Sequence, residues 1–380
     1  MKNELIIKIV SVVLFVAVSV GVIIYANTDK PTYTITEDSG VEYETARVLS
    51  VISDDTIIDE ATENVKKGSQ ELEVELLSGR YKGDRCKVTN YFSALYNVDV
   101  EEGDTVSVRI DTTDVDVYSV SIYNYNRVPL VIGLVIVFAA VLILLGGKQG
   151  LKAFLGLVYT VLVICFVLLP LTLKGVSPIP LTIGIVFVTS AVCFLLIGGV
   201  QKKTVAAALG SLAGVIIAAL LGQIAAGIGG VTTFQMDEAE ALLLLKSNFD
   251  IQLRGLFISG ILIAAIGAVM DIAMSIASAI QEVHEANAKL GFKELFESGM
   301  KIGRDAMGTM ANTLVLAYVG GALNMMVLIY SYGVSFRQLI NTDFVVIEMI
   351  RAIAGSVGII GTVPCVSAIA AYLFSSKVHK

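Results

Sequence analysis

The sequence predicts an all-α polytopic membrane bundle of about eight transmembrane helices, with one small extracytoplasmic β domain in the form of an OB-like barrel or a sandwich. Three observations carry this. The chain is 55% hydrophobic with only 16% charged residues, and several of its apolar runs exceed the roughly 18 residues that cross a bilayer. One stretch, residues 27–127, breaks the pattern, being polar, acidic and alternating where the rest is continuously apolar. The lysines and arginines of the connectors fall mainly on one side of the implied membrane.

Residues 1–26 place Lys2 and Lys8 around an apolar run that ends at Ala26. A run of about 20 apolar residues favours an uncleaved anchor over a signal peptide, and Tyr25-Ala26-Asn27 is a poor small-x-small cleavage site. The expected anchor starts in the cytoplasm. Residues 27–127 then show strand-like runs at 43–52, 71–77, 85–91, 105–110 and 115–125. Turn signals separate them, notably Ser78-Gly79, Lys82-Gly83-Asp84 and Glu101-Glu102-Gly103-Asp104. Short strands at this density suggest a small barrel or sandwich of OB-like proportions. No aromatic-plus-basic groove is evident, so Tyr118, Tyr123 and Tyr125 are read as cross-strand packing and membrane-interface anchors.

Residues 128–380 form a seven-helix transmembrane domain, with spans expected at 128–145, 153–173, 179–200, 205–227, 255–277, 306–330 and 345–374. Lys148, Lys152, Lys202, Lys203, Lys289, Lys293, Lys301, Arg304, Lys377 and Lys380 share one side. The other side holds mainly Lys174, Lys246, Arg254 and Arg337. That bias places both termini in the cytoplasm and residues 27–127 outside the cell membrane. Within the outer connector, the segment AEALLLLK reads as a short helix on the membrane face or on the bundle. The cytoplasmic segment after Glu282 alternates Leu290, Phe292, Leu295, Phe296 and Met300 with charges, and is expected to lie along the inner interface.

The polar residues inside the spans are the candidate site. Asp271 sits deep in an apolar run, and a mid-membrane acid costs about 2.5–3.5 kcal/mol to insert. Ser275, Ser278 and Glu282 follow at helical spacing on the same face. The stripe is expected to look inward, and Thr309, Asn312 and Thr313 of the next span are expected to meet it at a depth of about 9 Å on both helices. A carboxylate beside Thr309 and Asn312 in a dry bundle is suited to binding a proton or ion. The competing reading is an interhelical hydrogen bond that fixes packing. Glu348 and Arg351, at i and i+3, are expected to pair or to reach the outer interface. Arg304 and Asp305, where the chain re-enters the membrane, complete the structural polar candidates.

Other chemistry is not expected. Cys165, Cys193 and Cys365 lie in membrane runs and only Cys86 lies outside them, so the four cysteines form no disulfide framework. The two histidines, His284 and His379, have no ligand partners at useful spacing, so no metal site is expected. No catalytic motif or phosphate-cradling loop occurs, so neither an enzyme nor a bound cofactor is expected. The expected partners are the lipid bilayer and a further membrane subunit or second copy, with no nucleic acid.

Three segments together carry a resemblance: GAVMDIAMSIASAIQEV, GRDAMGTMANTLVLAYVGGAL and EMIRAIAGSVGIIGTVPCVSAIAA. They resemble the signature segments of the YibE/F-like bacterial membrane proteins over nearly the whole chain, which implies an integral membrane protein. The family carries a proline shortly after the GGAL segment, where this chain has Asn324 and Met325. The order of a span with Asp, a glutamate at its end, an amphipathic connector and a glycine-rich last helix is more weakly similar to SecD/SecF and RND-type exporters. The span number and the small outer domain depart from that plan. The leading expectation is a proton- or ion-coupled transporter or an auxiliary subunit of one. The alternative is a non-transporting scaffold or sensor whose outer domain binds a partner or ligand.

Overall fold

The alternating segment and most of the continuously apolar chain fall into different units, with the apolar residues 128–141 going with the former. In the computed structural model the chain divides into two compact units, Thr32–Val141 and Met1–Pro31 together with Leu142–Lys380. The structure describes residues 18–28, 40–60, 65–93, 96–112, 118–236, 239–246, 249–253 and 255–375.

Among the described residues the first unit holds six antiparallel strands: β1 (Val41–Asp54), β2 (Ile57–Asp59), β3 (Val65–Leu76), β4 (Arg85–Phe92), β5 (Thr105–Asp111) and β6 (Ser119–Tyr125). Central β1 pairs with β3 and β5, β3 also pairs with β2 and β4, and β5 with β6. Two register shifts in β1, between Val48 and Ser50 and between Val51 and Ser53, bend the strand. The sheet curls into a half-barrel in which β4 comes to lie beside β6. Period-two alternation sends Ala46, Val48, Leu72, Val74, Leu76, Val88, Val106, Val108 and Ile110 into one core. The expected strands are all present. β2 escapes a sequence reading because three residues are too few to show alternation, and residues 115–117 of the last expected strand lie outside the described residues.

Two buried amides sit in this core, at Gln70 and Asn90. Asn90 Nδ2 donates to the Val98 carbonyl at 2.7 Å and to Gln70 Oε1 at 3.4 Å, and Gln70 Nε2 donates to Asp54 Oδ2 at 3.0 Å. The hydroxyl and backbone N–H of Thr56 donate to Asp54 Oδ1. The Thr56 hydroxyl, then Gln70, then the Thr56 amide hold the Asp54 carboxyl below its ordinary 3.8.

The second unit is helical. Its described part begins with α1 (Val18–Asn27); residues 1–17 of the expected anchor lie outside the described residues. Next come α2 (Val128–Val163), a π-helical turn (Ile164–Leu168), α3 (Leu169–Leu173), α4 (Pro178–Gly198), α5 (Lys202–Gly229) and α6 (Ala239–Lys246). The chain ends with α7 (Leu256–Ala286), α8 (Phe292–Gly321), α9 (Leu323–Ser331), α10 (Phe336–Leu339) and α11 (Asp343–Phe374). The expected AEALLLLK helix is α6.

Among the described residues five helices are long and apolar enough to cross a membrane, or six if the pair α8–α9, bent by 58°, counts as one span. That is fewer than the eight expected, for two reasons. The anchor is described only from Val18, and two expected spans merge into one helical stretch, Val128–Leu173, of 46 residues. That stretch breaks at Gly147, whose φ of 54° and ψ of −135° are non-helical. At 1.5 Å per residue its two arms together rise about 69 Å, more than twice a hydrocarbon core of about 30 Å.

The π turn has a local cause. Pro170 has no N–H, so the Phe166 carbonyl four residues back loses its helical donor. Asn27 Nδ2, at the end of α1, supplies the missing hydrogen bond at 2.8 Å. Ile23 packs nearby with Val163, Val167 and Ile185, tying α1 into the bundle.

The centre of the bundle is α5, α7, α8 and α11, with α4 against α5 and α7. Helices α5 and α11 run antiparallel through glycines. A Cβ on Gly214 would lie 1.8 Å from Thr362 Oγ1 and 2.9 Å from the Gly358 carbonyl, and one on Gly210 would lie 2.1 Å from Val366. Small residues allow this approach, and dispersion between the touching backbones replaces the hydrophobic drive that lipid does not supply.

Candidate functional site

Helix α7 runs uninterrupted from its cap at Gly255, which has φ of 96°, to Asn287. Its 31 residues exceed a bilayer core, and Asp271 falls at the midpoint, fifteen residues from each end. The expected depth of about 9 Å counts from a membrane exit at Ala277, whereas α7 continues to Ala286 and ends about 22 Å from Asp271. One face of α7 carries Ile258, Leu262, Ala265, Val269, Ile272, Ala273, Ile276 and Ile280, all buried. The opposite face carries Gly260, Ala264, Gly267, Asp271, Ser275 and Glu282, all exposed, with Ser278 half-buried.

The polar stripe therefore looks away from the packed interior, and the expectation that it looks inward is corrected. The reason is competition between faces. The run of isoleucines and alanines gains more by burial against α5, α8 and α11 than the polar stripe can. Among the described residues Asp271 has no ion pair and no hydrogen-bond partner.

Helix α8 sits against α7 at a defined level. Cβ atoms built on Gly299 and Gly303 meet Ile280 and Ile276 of α7, and Leu314 and Ala265 flank the same residue, Gly355 of α11. Continuing that antiparallel register sets Gly308 level with Asp271, Arg304 level with Ser275, and Asn312 level with Gly267. Asn312 is thus one turn, about 6 Å, beyond the level expected for it, and it is not bonded to Asp271. Arg304, Asp305, Thr309, Asn312 and Thr313 are all exposed. The hydroxyls of Thr309 and Thr313 donate to the Ala306 and Thr309 carbonyls of their own helix, each at 2.9 Å. Among the described residues Arg304, Asp305 and the Asn312 side chain have no polar partner.

The amphipathic segment after Glu282 also differs from expectation. It does not form a separate surface helix. After a short connection at Asn287–Gly291 it is the first part of α8, and Leu295, Gly299 and Gly303 are buried against α7 and α11.

Glu348 and Arg351 do pair, one turn apart on α11, and both are half-buried. The Arg351 guanidinium also lies 5.6 Å from the Phe257 ring centre. Glu348 lines two cavities. One, of about 610 Å³, is apolar and formed by Val315, Tyr318, Ala322, Met326, Phe344 and Met349, among others. The second, of about 220 Å³, adds Gln235 and Arg351. Tyr318, whose hydroxyl is buried without a hydrogen-bond partner, lines the larger cavity. Sequence reading missed Tyr318, because one tyrosine in an apolar helix carries no periodic signal. It missed Gly308 and Gly267 for the same reason.

The arrangement offers one ionisable group in the middle of a spanning helix, flanked by small and hydroxyl side chains, and a separate ion pair beside an apolar groove. Among the described residues no cluster of His, Cys, Asp and Glu is built to hold a metal ion. A family model described as YibE/F-like protein matches residues 134–376, and one described as the YibE/F family N-terminal domain matches residues 40–125. No curated protein matches the chain, and no solved structure does.

Proposed function

The chain belongs to the YibE/F-like family, and from that premise we propose that this multi-pass membrane protein is a proton- or ion-coupled transporter, or an auxiliary subunit of one. Asp271 is the coupling group in this reading, with Ser275, Glu282, Thr309 and Asn312 along its polar face. One observation carries it. Asp271 lies at the centre of a spanning helix with no ion pair and no hydrogen bond among the described residues, whereas a carboxylate retained for packing would be bonded to a neighbouring helix. An acid in that position is expensive, and a group free of fixed partners can take up and release a cation. The lysine and arginine bias supports a plasma-membrane placement with both termini cytoplasmic and the β unit outside.

The test is genetic. A deletion strain supplies a growth or transport phenotype, and Asp271→Asn is asked to complement it. Asn keeps the volume and the hydrogen-bonding capacity but cannot ionise. Loss of complementation at normal expression is the expected result. Full rescue would sink ion coupling at Asp271 and leave the scaffold or sensor, with its outer domain binding a partner or ligand, as the better reading.

A further inference from the structure

We propose that the exposed α7–α8 face is a docking surface for a second copy of this chain, in which Asp271 of each copy pairs with Arg304 of the other. Three observations lead there. The face is made of residues that gain nothing from lipid: Gly260, Ala264, Gly267, Asp271 and Ser275 on α7, and Gly308, Thr309 and Asn312 on α8. Cβ atoms built on Gly260, Gly267 and Gly308 meet nothing within 4 Å, so the backbone there is open to close approach by another helix. The face also carries both signs of charge, since Asp271 and Arg304 are exposed and unpaired among the described residues.

The register fixes the occupant. Arg304 is level with Ser275, one turn from Asp271, which is within reach of an extended arginine. In a two-fold pair every contact is made twice, so α7 of one copy lies on α8 of the other and two identical Asp271–Arg304 pairs form. A partner of different sequence would need its own matching acid and base at these levels, whereas this chain already carries both. The site around Asp271 is then completed by the second copy. Docking and coupling are read apart, docking as capture and coupling as complementation, and Gly267→Leu, which keeps the Asp271 carboxylate, acts on docking alone.

The experiment uses full-length protein carrying two different affinity tags, co-expressed and purified in nanodiscs. Wild-type copies are expected to capture each other. Asp271→Arg copies should fail to capture Asp271→Arg copies, because arginine then faces arginine, and Arg304→Asp copies should fail likewise. Mixed together, the two variants are expected to regain capture, because each arginine meets an aspartate on the other copy. Failure of wild-type capture, undiminished self-capture by either variant, or no recovery in the mixed pair would each overturn the proposal. Asp and Arg cost similar amounts in a mid-membrane helix, so insertion should survive. If either charge variant does not accumulate, Gly267→Leu decides the matter, since it fills open space within one chain and should abolish capture. Its continued capture would overturn the interface.

Discussion

A carboxylate with no partner among the described residues and a buried amide network joined by three hydrogen bonds mark the two extremes of residue chemistry in this chain. Because Asp271 bonds to nothing among the described residues, Asp271→Leu should leave the folded yield undiminished while abolishing the deletion-complementing activity. Size-exclusion profiles and the complementation assay together check this. A drop in folded yield would mean that Asp271 holds the fold. Gln70 is the opposite case. Gln70→Leu takes the second acceptor from the Asn90 amide, which keeps the Val98 carbonyl, and removes one donor from Asp54, and the loss of such hydrogen bonds costs about 0.5–1.5 kcal/mol each. Denaturant unfolding of the full chain, followed by a probe in the β unit, reads that loss. The Asp54 carboxyl is held below its ordinary value. Its contribution to stability is therefore fully present above the unfolded value near 3.9 and is lost as pH falls through the lower folded value. Asp54→Asn should flatten this acid limb of a stability-against-pH curve. At this scale the sequence showed that Asp271, Ser275 and Glu282 share a face. Periodicity says which residues lie together, but not which of two faces a bundle will cover, so the outward direction was not legible.

The helices show where glycine is required and where it is free. Gly214→Ala drives a methyl into Thr362 and toward the Gly358 carbonyl. Overpacking of this kind costs about 1–3 kcal/mol, and thermal unfolding in detergent should show the loss. Gly308→Ala meets open space and removes a poor helix former from an exposed position. It should stabilise α8 by up to about 1 kcal/mol in the same assay. Both glycines look alike in sequence, because a small residue records only that something small is tolerated. The α6 helix and most strand and span boundaries were legible because each has its own period. The merger of the amphipathic segment into α8 was not, since its charges suggested a surface helix while its buried positions are Leu295, Gly299 and Gly303. The bond from Asn27 to the Phe166 carbonyl was equally hidden. Pro170 announces a missing donor but not who replaces it.

For the whole molecule, the break at Gly147 decides the sidedness of everything after it. If the two arms of Val128–Leu173 each cross the bilayer, the chain crosses five times between Glu102 and Lys293, counting α4, α5 and α7. The two residues then lie on opposite sides. If the stretch crosses once, they lie on the same side. A length of about 69 Å favours two crossings. In a background with Cys86, Cys165, Cys193 and Cys365 replaced, Glu102→Cys should react with an impermeant thiol reagent on intact cells. Lys293→Cys should react only after permeabilisation. Labelling of both on intact cells would mean one crossing, and the reverse pattern would invert the orientation.

Helix α8 is held unequally along its length. Its fully buried residues, Leu295, Gly299 and Gly303, all lie in its first half, while from Arg304 to Gly321 its residues are exposed or half-buried. In mechanical terms it is a cantilever with its root set between α7 and α11 and its tip at the 58° bend into α9. From Gly303 to Gly321 the arm is about 27 Å long and is held more lightly, by Leu314 beside Gly355 and by the Ala311 carbonyl, which accepts from Ser356; a tilt of about 5° at the root would carry the tip by about 2 Å. Arg304 and Gly308 lie close to the root, at the levels of Ser275 and Asp271, and Tyr318 lies close to the tip, against the groove that Glu348 lines. A slight rotation beside the acid would therefore arrive enlarged at the wall of that groove.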